Sequence, residues 1–327
     1  MLCHALAVTT ARAWAVAIAR LTAFALALSM VISRAGLVIH EAIGHGAAAY
    51  AVGSSVTEVR LYAVAGGWIQ YGPATWTSPR VAVVTLGGIA IEWLAAALCG
   101  WAARRRGGWL GLGLEAAAWG LVIHGGLYLA IGAADGVGDG QWLYRTLGPA
   151  RVVVVIPATI AVVLAGAVAA RRLGGQLLAT LPMATRGRRA AGLAAALAVA
   201  GVVHGGAVAV ELAVRADPTY ARVMATEASR AIDRELAAWR AAAAADGSYR
   251  ASAEPAVRRA IAARHQRPRY GGWIAGAAAL AIALGFVLAR ACGHAPLPAA
   301  VVGRTVTVAV AAIVLVVAID RAAAGFW

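Results

Sequence analysis

Lysine is absent from this chain of 327 residues, charge of either sign is scarce at 13%, and cysteine occurs three times. Each scarcity excludes something. Soluble proteins carry nearer a quarter charged residues, so this chain has too little charge to coat a water-exposed surface. Cys3, Cys99 and Cys292 are too scattered to support a disulfide framework or a cysteine-ligated metal site. With no lysine, the positive side of the net charge of +15 is all arginine. The arginines gather in loops between apolar runs, as at Arg104-Arg105-Arg106 and Arg171-Arg172. That is the pattern of topogenic charge and contact with anionic lipid, so no nucleic-acid partner is expected. Arg12 is the only basic residue ahead of the first long apolar stretch, and no small-residue cleavage site follows, so no removable signal peptide is expected.

What fills the chain instead is apolar: 62% hydrophobic residues and a mean hydropathy of +0.76. Runs near residues 13–33, 36–53, 81–102, 110–133, 150–170, 190–213, 272–290 and 299–319 could each cross about 30 Å of hydrocarbon. Arg34 and Gly36 separate the first two, which predicts a tight helical hairpin there. Residues 56–72 change character, alternating apolar and polar β-formers around Gly66-Gly67, and read as a β-hairpin. The fold class predicted is an all-α polytopic membrane protein, integral to a lipid bilayer. It has about eight transmembrane helices and a short membrane-associated β-hairpin after the second run.

One sizeable polar segment remains, residues 215–270. Asp217-Pro218 starts a helix, the Ala/Arg/Glu-rich stretch to Ala245 continues it, Asp246-Gly247-Ser248 breaks it, and Glu254-Pro255 begins another. The expected division is a transmembrane core over 1–214, an extramembrane helical segment over 215–270 and a C-terminal transmembrane hairpin over 271–327.

The second run contains His40-Glu41-Ala42-Ile43-Gly44-His45. Ionisable side chains in a spanning helix are costly unless partnered, so they are functional candidates by default. Two imidazoles and a carboxylate are also the groups that bind zinc and activate its water. At four residues apart two histidines share a helix face. At five they stand about 140° apart on a regular α-helix and cannot meet at one ion. A one-residue π-bulge near Gly44 absorbs the extra residue, and zinc binding by this pair therefore predicts such a bulge. The bland alternative is a hydrogen bond between Glu41 and His45 at i, i+4.

With one residue inserted, the motif resembles that of the site-2 protease family of intramembrane zinc metalloproteases. Three further features follow in that family's order: the hairpin-like stretch, Leu86-Gly87-Gly88-Ile89-Ala90-Ile91-Glu92-Trp93-Leu94 and Asp139-Gly140-Gln141-Trp142-Leu143. The second is similar to the family's Ala-Gly-Pro-x-x-Asn helix, with Gly88 and Glu92 standing near the positions of its Pro and Asn. The third is similar to its Leu-Asp-Gly element. The likeness covers about residues 30–150. The spacing of five is itself similar to the His-Glu-x-x-Gly-His of dipeptidyl peptidase III, a soluble zinc peptidase.

The resemblance implies a Zn2+ cofactor held by His40, His45 and Asp139, with Asp135 as the alternative third ligand, and Glu41 as catalytic general base. It implies cleavage of peptide bonds in or near the transmembrane segments of other membrane proteins, in a bacterial inner membrane. The alternative is a non-proteolytic scaffold or transporter on the same fold. Orientation stays open, because the loop arginines and the family's cytosolic active site point to opposite faces. Glu92 and His124 are expected to line the same cavity or to hydrogen-bond between helices, and His204 and Glu211 to pair across helices.

Overall fold

The computed structural model describes residues 2–183, 185–265, 269–290 and 296–325, with side chains placed from residue 11 to residue 323 within those bounds. Cys292 and the side chain of Cys3 lie outside the described residues, and Cys99 is a free thiol. Helix α1 (Leu2–Leu37) runs without a break into a π-helical segment (Val38–His45) and then α2 (Gly46–Ala51). Strands β1 (Val56–Leu61) and β2 (Gly67–Tyr71) follow, then α3 (Ser78–Arg105), α4 (Gly108–Asp135) and the short α5 (Gly140–Leu147). The chain continues through α6 (Val152–Leu178), α7 (Arg186–Arg215), α8 (Pro218–Val223), α9 (Glu227–Ala245), α10 (Glu254–Arg264), α11 (Tyr270–Leu288) and α12 (Ala299–Gly325).

Six helical stretches among the described residues are long and apolar enough to cross a membrane: Ala11–Ala51, Ser78–Arg105, Gly108–Leu178, Arg186–Arg215, Tyr270–Leu288 and Ala299–Ala323. That is two fewer stretches than the eight expected, and each difference has its own origin. The runs near 110–133 and 150–170 both fall in Gly108–Leu178, where α4 and α6 pack side by side. The expected helical hairpin at Arg34 does not form either, because α1 passes straight through that residue. Arg34 is only 2% exposed. Its guanidinium donates to the carbonyls of Tyr62 (2.6 Å) and Val64 (2.9 Å) and to the Ser33 hydroxyl (2.8 Å). A cation supplied with acceptors inside the protein does not have to reach the membrane surface, and so does not end its helix.

The β-hairpin forms over the expected residues, antiparallel, with Leu61 opposite Gly67 and Val59 opposite Ile69. Its turn is wedged among the helices, and polar residues of the apolar runs satisfy its backbone. Glu211 of α7 accepts from the amides of Ala63, Val64 and Ala65 at 2.7, 2.7 and 2.8 Å. Asp320 of α12 accepts from Leu61 N at 2.9 Å. Asp217 accepts from Tyr62 Oη and Trp68 Nε1, and also caps α8 through Thr219 N. His204 pairs across helices with Ser29 at 3.0 Å. Glu211→Ala leaves three turn amides without their acceptor and is expected to lower stability by about 2–4 kcal/mol. Glu211→Gln, which keeps one acceptor oxygen, should cost less. Thermal unfolding of the detergent-solubilised variants measures both.

In the polar segment, α8 ends at Val223 and α9 begins at Glu227 behind a Thr226 cap, so the expected helix from Asp217 to Ala245 is two helices. The expected break at residues 246–248 and restart at Glu254 are present.

Candidate metal centre

The centre is built by the π-helical segment against α3, with α5 closing it. In a π turn, residues i and i+5 are hydrogen-bonded neighbours, so positions 40 and 45 come to one face. The helix bulges where the spacing requires it, with Ile43 pointing outward at 49% exposure. Gly44 has a packing role: a Cβ there would lie 2.6 Å from both Gly88 Cα and Ile91 Cγ2 of α3. On the other helix, a Cβ at Gly88 would lie 2.7 Å from His40 Nε2 and 2.8 Å from His45 Nε2. The two glycines bring the helices together and leave room for the imidazoles.

Both imidazoles are buried, edge to face, with centroids 4.8 Å apart. His45 Nδ1 lies 2.7 Å from the Val84 carbonyl of α3, to which it can only donate. In the neutral ring Nε2 therefore carries the lone pair. His40 turns its Nδ1 towards Glu92 Oε2, 3.5 Å away, where no hydrogen bond satisfies it. Glu92 is fully buried on α3 and accepts from His124 Nδ1 of α4 at 2.9 Å. His124 and Glu92 thus do both things expected of them, bonding between helices and lining one cavity. Buried carboxylates and carbonyls behind histidines are the groups that orient metal ligands.

The third side chain comes from the loop between α4 and α5. Gly136 (φ 69°) and Gly138 (φ 51°) adopt left-handed backbone that glycine tolerates, and they turn the chain so that Asp139 faces the histidines. Asp139 Oδ2 lies 2.9 Å from His40 Nε2 and 3.0 Å from His45 Nε2, and the two Nε2 atoms are 3.2 Å apart. Asp139 sits at the N-cap position of α5 but makes no capping bond. Asp135 is turned away: it accepts from Tyr270 N and Gly271 N at 3.0 and 2.9 Å, at the start of α11. The structure brings His40, His45 and Asp139 together and leaves Asp135 out.

The donor set fits zinc. Two imidazole nitrogens and one carboxylate oxygen are common zinc ligands, and three protein ligands leave a coordination position open. The atoms form a triangle with sides of 2.9, 3.0 and 3.2 Å. Tetrahedral ligands at zinc distances stand about 3.3 Å apart, close to this spacing. With both Nδ1 atoms turned outward, the neutral rings and the carboxylate aim lone pairs at one another, an arrangement that calls for a cation or protons between them.

Two cavities meet the centre, one of about 1030 Å³ beside His45 and Asp139, the other of about 540 Å³ beside His40 and Glu92. Glu41 is buried and lines both. Among the described residues nothing hydrogen-bonds to its carboxylate, and no bond to His45 forms. Tyr128, which the sequence reading passed over, also lines both cavities and stacks on His124 with ring planes at 13°. Its signal was available, since four residues after His124 it shares that residue's helix face. All five residues of β2 line the larger cavity. Behind that cavity's polar end, Glu227 accepts from three lining residues, Gln141 (3.0 Å), Arg145 (2.9 Å) and Arg234 (2.9 Å). Burial alone would raise the Glu227 pKa, but these bonds outweigh it and hold the carboxyl down to about 2.

No known protein family, no curated protein and no solved structure is matched by this chain.

Proposed function

We propose that this protein is an intramembrane zinc endopeptidase that hydrolyses peptide bonds in or near the transmembrane segments of other membrane proteins. The observation that carries the reading is the convergence of His40 Nε2, His45 Nε2 and Asp139 Oδ2 on one point. They do so beside a carboxylate that faces open space, in a helix that bulges to make the convergence possible.

Zinc bound there supplies a Lewis acid for the scissile carbonyl and a water of lowered pKa. The chain's own residues do the rest. Glu92 and the Val84 carbonyl hold the imidazoles in orientation from behind. Glu41 takes a proton from the attacking water as the C–O bond forms, and passes it to the amide nitrogen as the C–N bond breaks. The substrate segment must be extended before it can be cut, because a helix screens its own peptide bonds. Strand β2 has β1 on one side only and lines the cavity along its length, so an extended segment could pair with it. The cavity's polar end, walled by α5, α8 and α9, gives water a route to an otherwise apolar site.

The test is metal content and cleavage together. Protein purified in detergent should carry close to one zinc per chain. A chelator should remove that zinc along with cleavage of a single-span substrate, and added zinc should restore both. Zinc-free protein in fresh preparations, or cleavage indifferent to the chelator, would sink the proposal. Zinc without cleavage of any membrane substrate would leave a metal-binding scaffold or transporter.

A further inference from the structure

The larger cavity is electrically lopsided. Around the metal centre, apart from the centre's own Glu41, His45 and Asp139, its wall is apolar or neutral, with Trp68 and Ile69 from β2, Val81 from α3 and Trp142 from α5. Its far end carries four arginines, Arg145 on α5, Arg222 on α8, and Arg230 and Arg234 on α9. Asp233 lines this end with them and Glu227 stands behind the lining, and both carboxylates are already engaged. Glu227 takes Arg145 and Arg234 at 2.9 Å each. Asp233 is paired at 2.9 Å with Arg258, which is not among the lining residues. Arg222 is exposed and bonds a neutral partner, the Thr219 hydroxyl, at 3.1 Å. Arg230 donates Nη2 to the Gly136 carbonyl at 2.6 Å, while its buried Nε has no hydrogen-bond partner and lies 3.7 Å from Glu227 Oε2. With Asp233 matched by Arg258, the four arginines of this end are set against the single charge of Glu227, and the end is positive.

Its distance from the metal centre can be read along α5. Arg145 lies six residues beyond Asp139, about 9 Å of helix rise. An extended chain advances about 3.3 Å per residue, so that span is about three residues of substrate.

We infer that the arginine end of this cavity selects peptide segments carrying an aspartate or glutamate about three residues from the point that lies over the metal centre. The inference deepens the peptidase reading and rests on it only for the statement that the bond at that point is cut. An acidic peptide is favoured over a lipid headgroup because the arginines share one cavity with β2 and Asp139, which puts a bound anion on the same chain as the segment beside the metal centre. A peptide with acidic residues just outside its apolar span has this character.

Binding tests the inference apart from cleavage. The full chain, as the Glu41→Gln variant in nanodiscs of neutral lipid, is titrated with fluorescent single-span peptides that differ only in carrying Asp, Asn or Lys beside the span. Fluorescence anisotropy should show the Asp peptide binding about tenfold more tightly than the Asn peptide, and the Lys peptide more weakly than either. Arg222→Glu with Arg234→Glu should reverse that order. Arg222→Gln with Arg234→Gln, a milder change that controls for misfolding, should flatten it. Equal affinity for the three peptides, or an unchanged order in both double variants, overturns the inference. So does a result in which the variants lose binding to anionic-lipid nanodiscs while peptide preference stays as it was. If the Asp peptide is preferred and no peptide is ever cut by the wild-type protein, the charge selection stands and the peptidase reading fails.

Discussion

On the proposed peptidase reading, Glu41→Gln is expected to bind zinc as the wild type does and to lose cleavage by about a thousandfold, within the range that a general base contributes. The geometry makes the two readouts separable. Glu41 follows His40 directly, but its carboxylate is not one of the three converging atoms and lines both cavities. Glutamine has nearly the same shape, leaves His45 bonded to Val84 and His40 facing Glu92, and cannot take up a proton. Zinc content by atomic absorption and the single-turnover rate on a single-span substrate would be measured on the same preparation. Undiminished cleavage places the base elsewhere. Loss of zinc with cleavage makes Glu41 part of the metal's support, and the proton-transfer role then fails.

The centre was unusually open to reading from the residues. The spacing of His40 and His45 is a statement about helix geometry, and only a bulge reconciles it with one ion. The structure has the π-helical segment at Val38–His45. The hairpin was readable because period-two alternation around Gly66-Gly67 is a local signal. What could not be read were roles fixed by partners distant in the chain. Arg34 looks like the end of a span, yet the carbonyls that absorb its charge belong to Tyr62 and Val64. Glu211 looks like an interhelical partner, yet it serves the amides of the hairpin turn. In each case the pattern shows that a buried polar group must be satisfied and not by what. The splitting of Ala11–Ala51 into two expected spans has the same origin, because a charge that breaks an apolar run on paper need not break the helix.

The choice between Asp139 and Asp135 was the point at which the sequence was least decisive, and it yields the sharpest contrast between two variants. Each aspartate precedes a glycine and the two are four residues apart, so local pattern treats them alike. Tertiary structure does not. Asp139 brings an oxygen within 2.9 and 3.0 Å of the two histidine nitrogens, while Asp135 spends both oxygens on the first amides of α11. Structural zinc sites of four ligands are worth about 10–16 kcal/mol in all, so one ligand is worth about 2.5–4 kcal/mol. Asp139→Ala is therefore expected to weaken zinc binding by about a hundredfold to a thousandfold, with cleavage lost at ordinary zinc levels. Asp135→Ala should leave zinc affinity unchanged and lower thermal stability by the worth of a helix cap, about 0.5–2 kcal/mol. Competition against a fluorescent zinc chelator gives the affinities, and unfolding of the metal-free proteins isolates the cap. The reverse pattern, zinc lost in Asp135→Ala and kept in Asp139→Ala, would remove Asp139 from the centre and with it the closure of the site by α5.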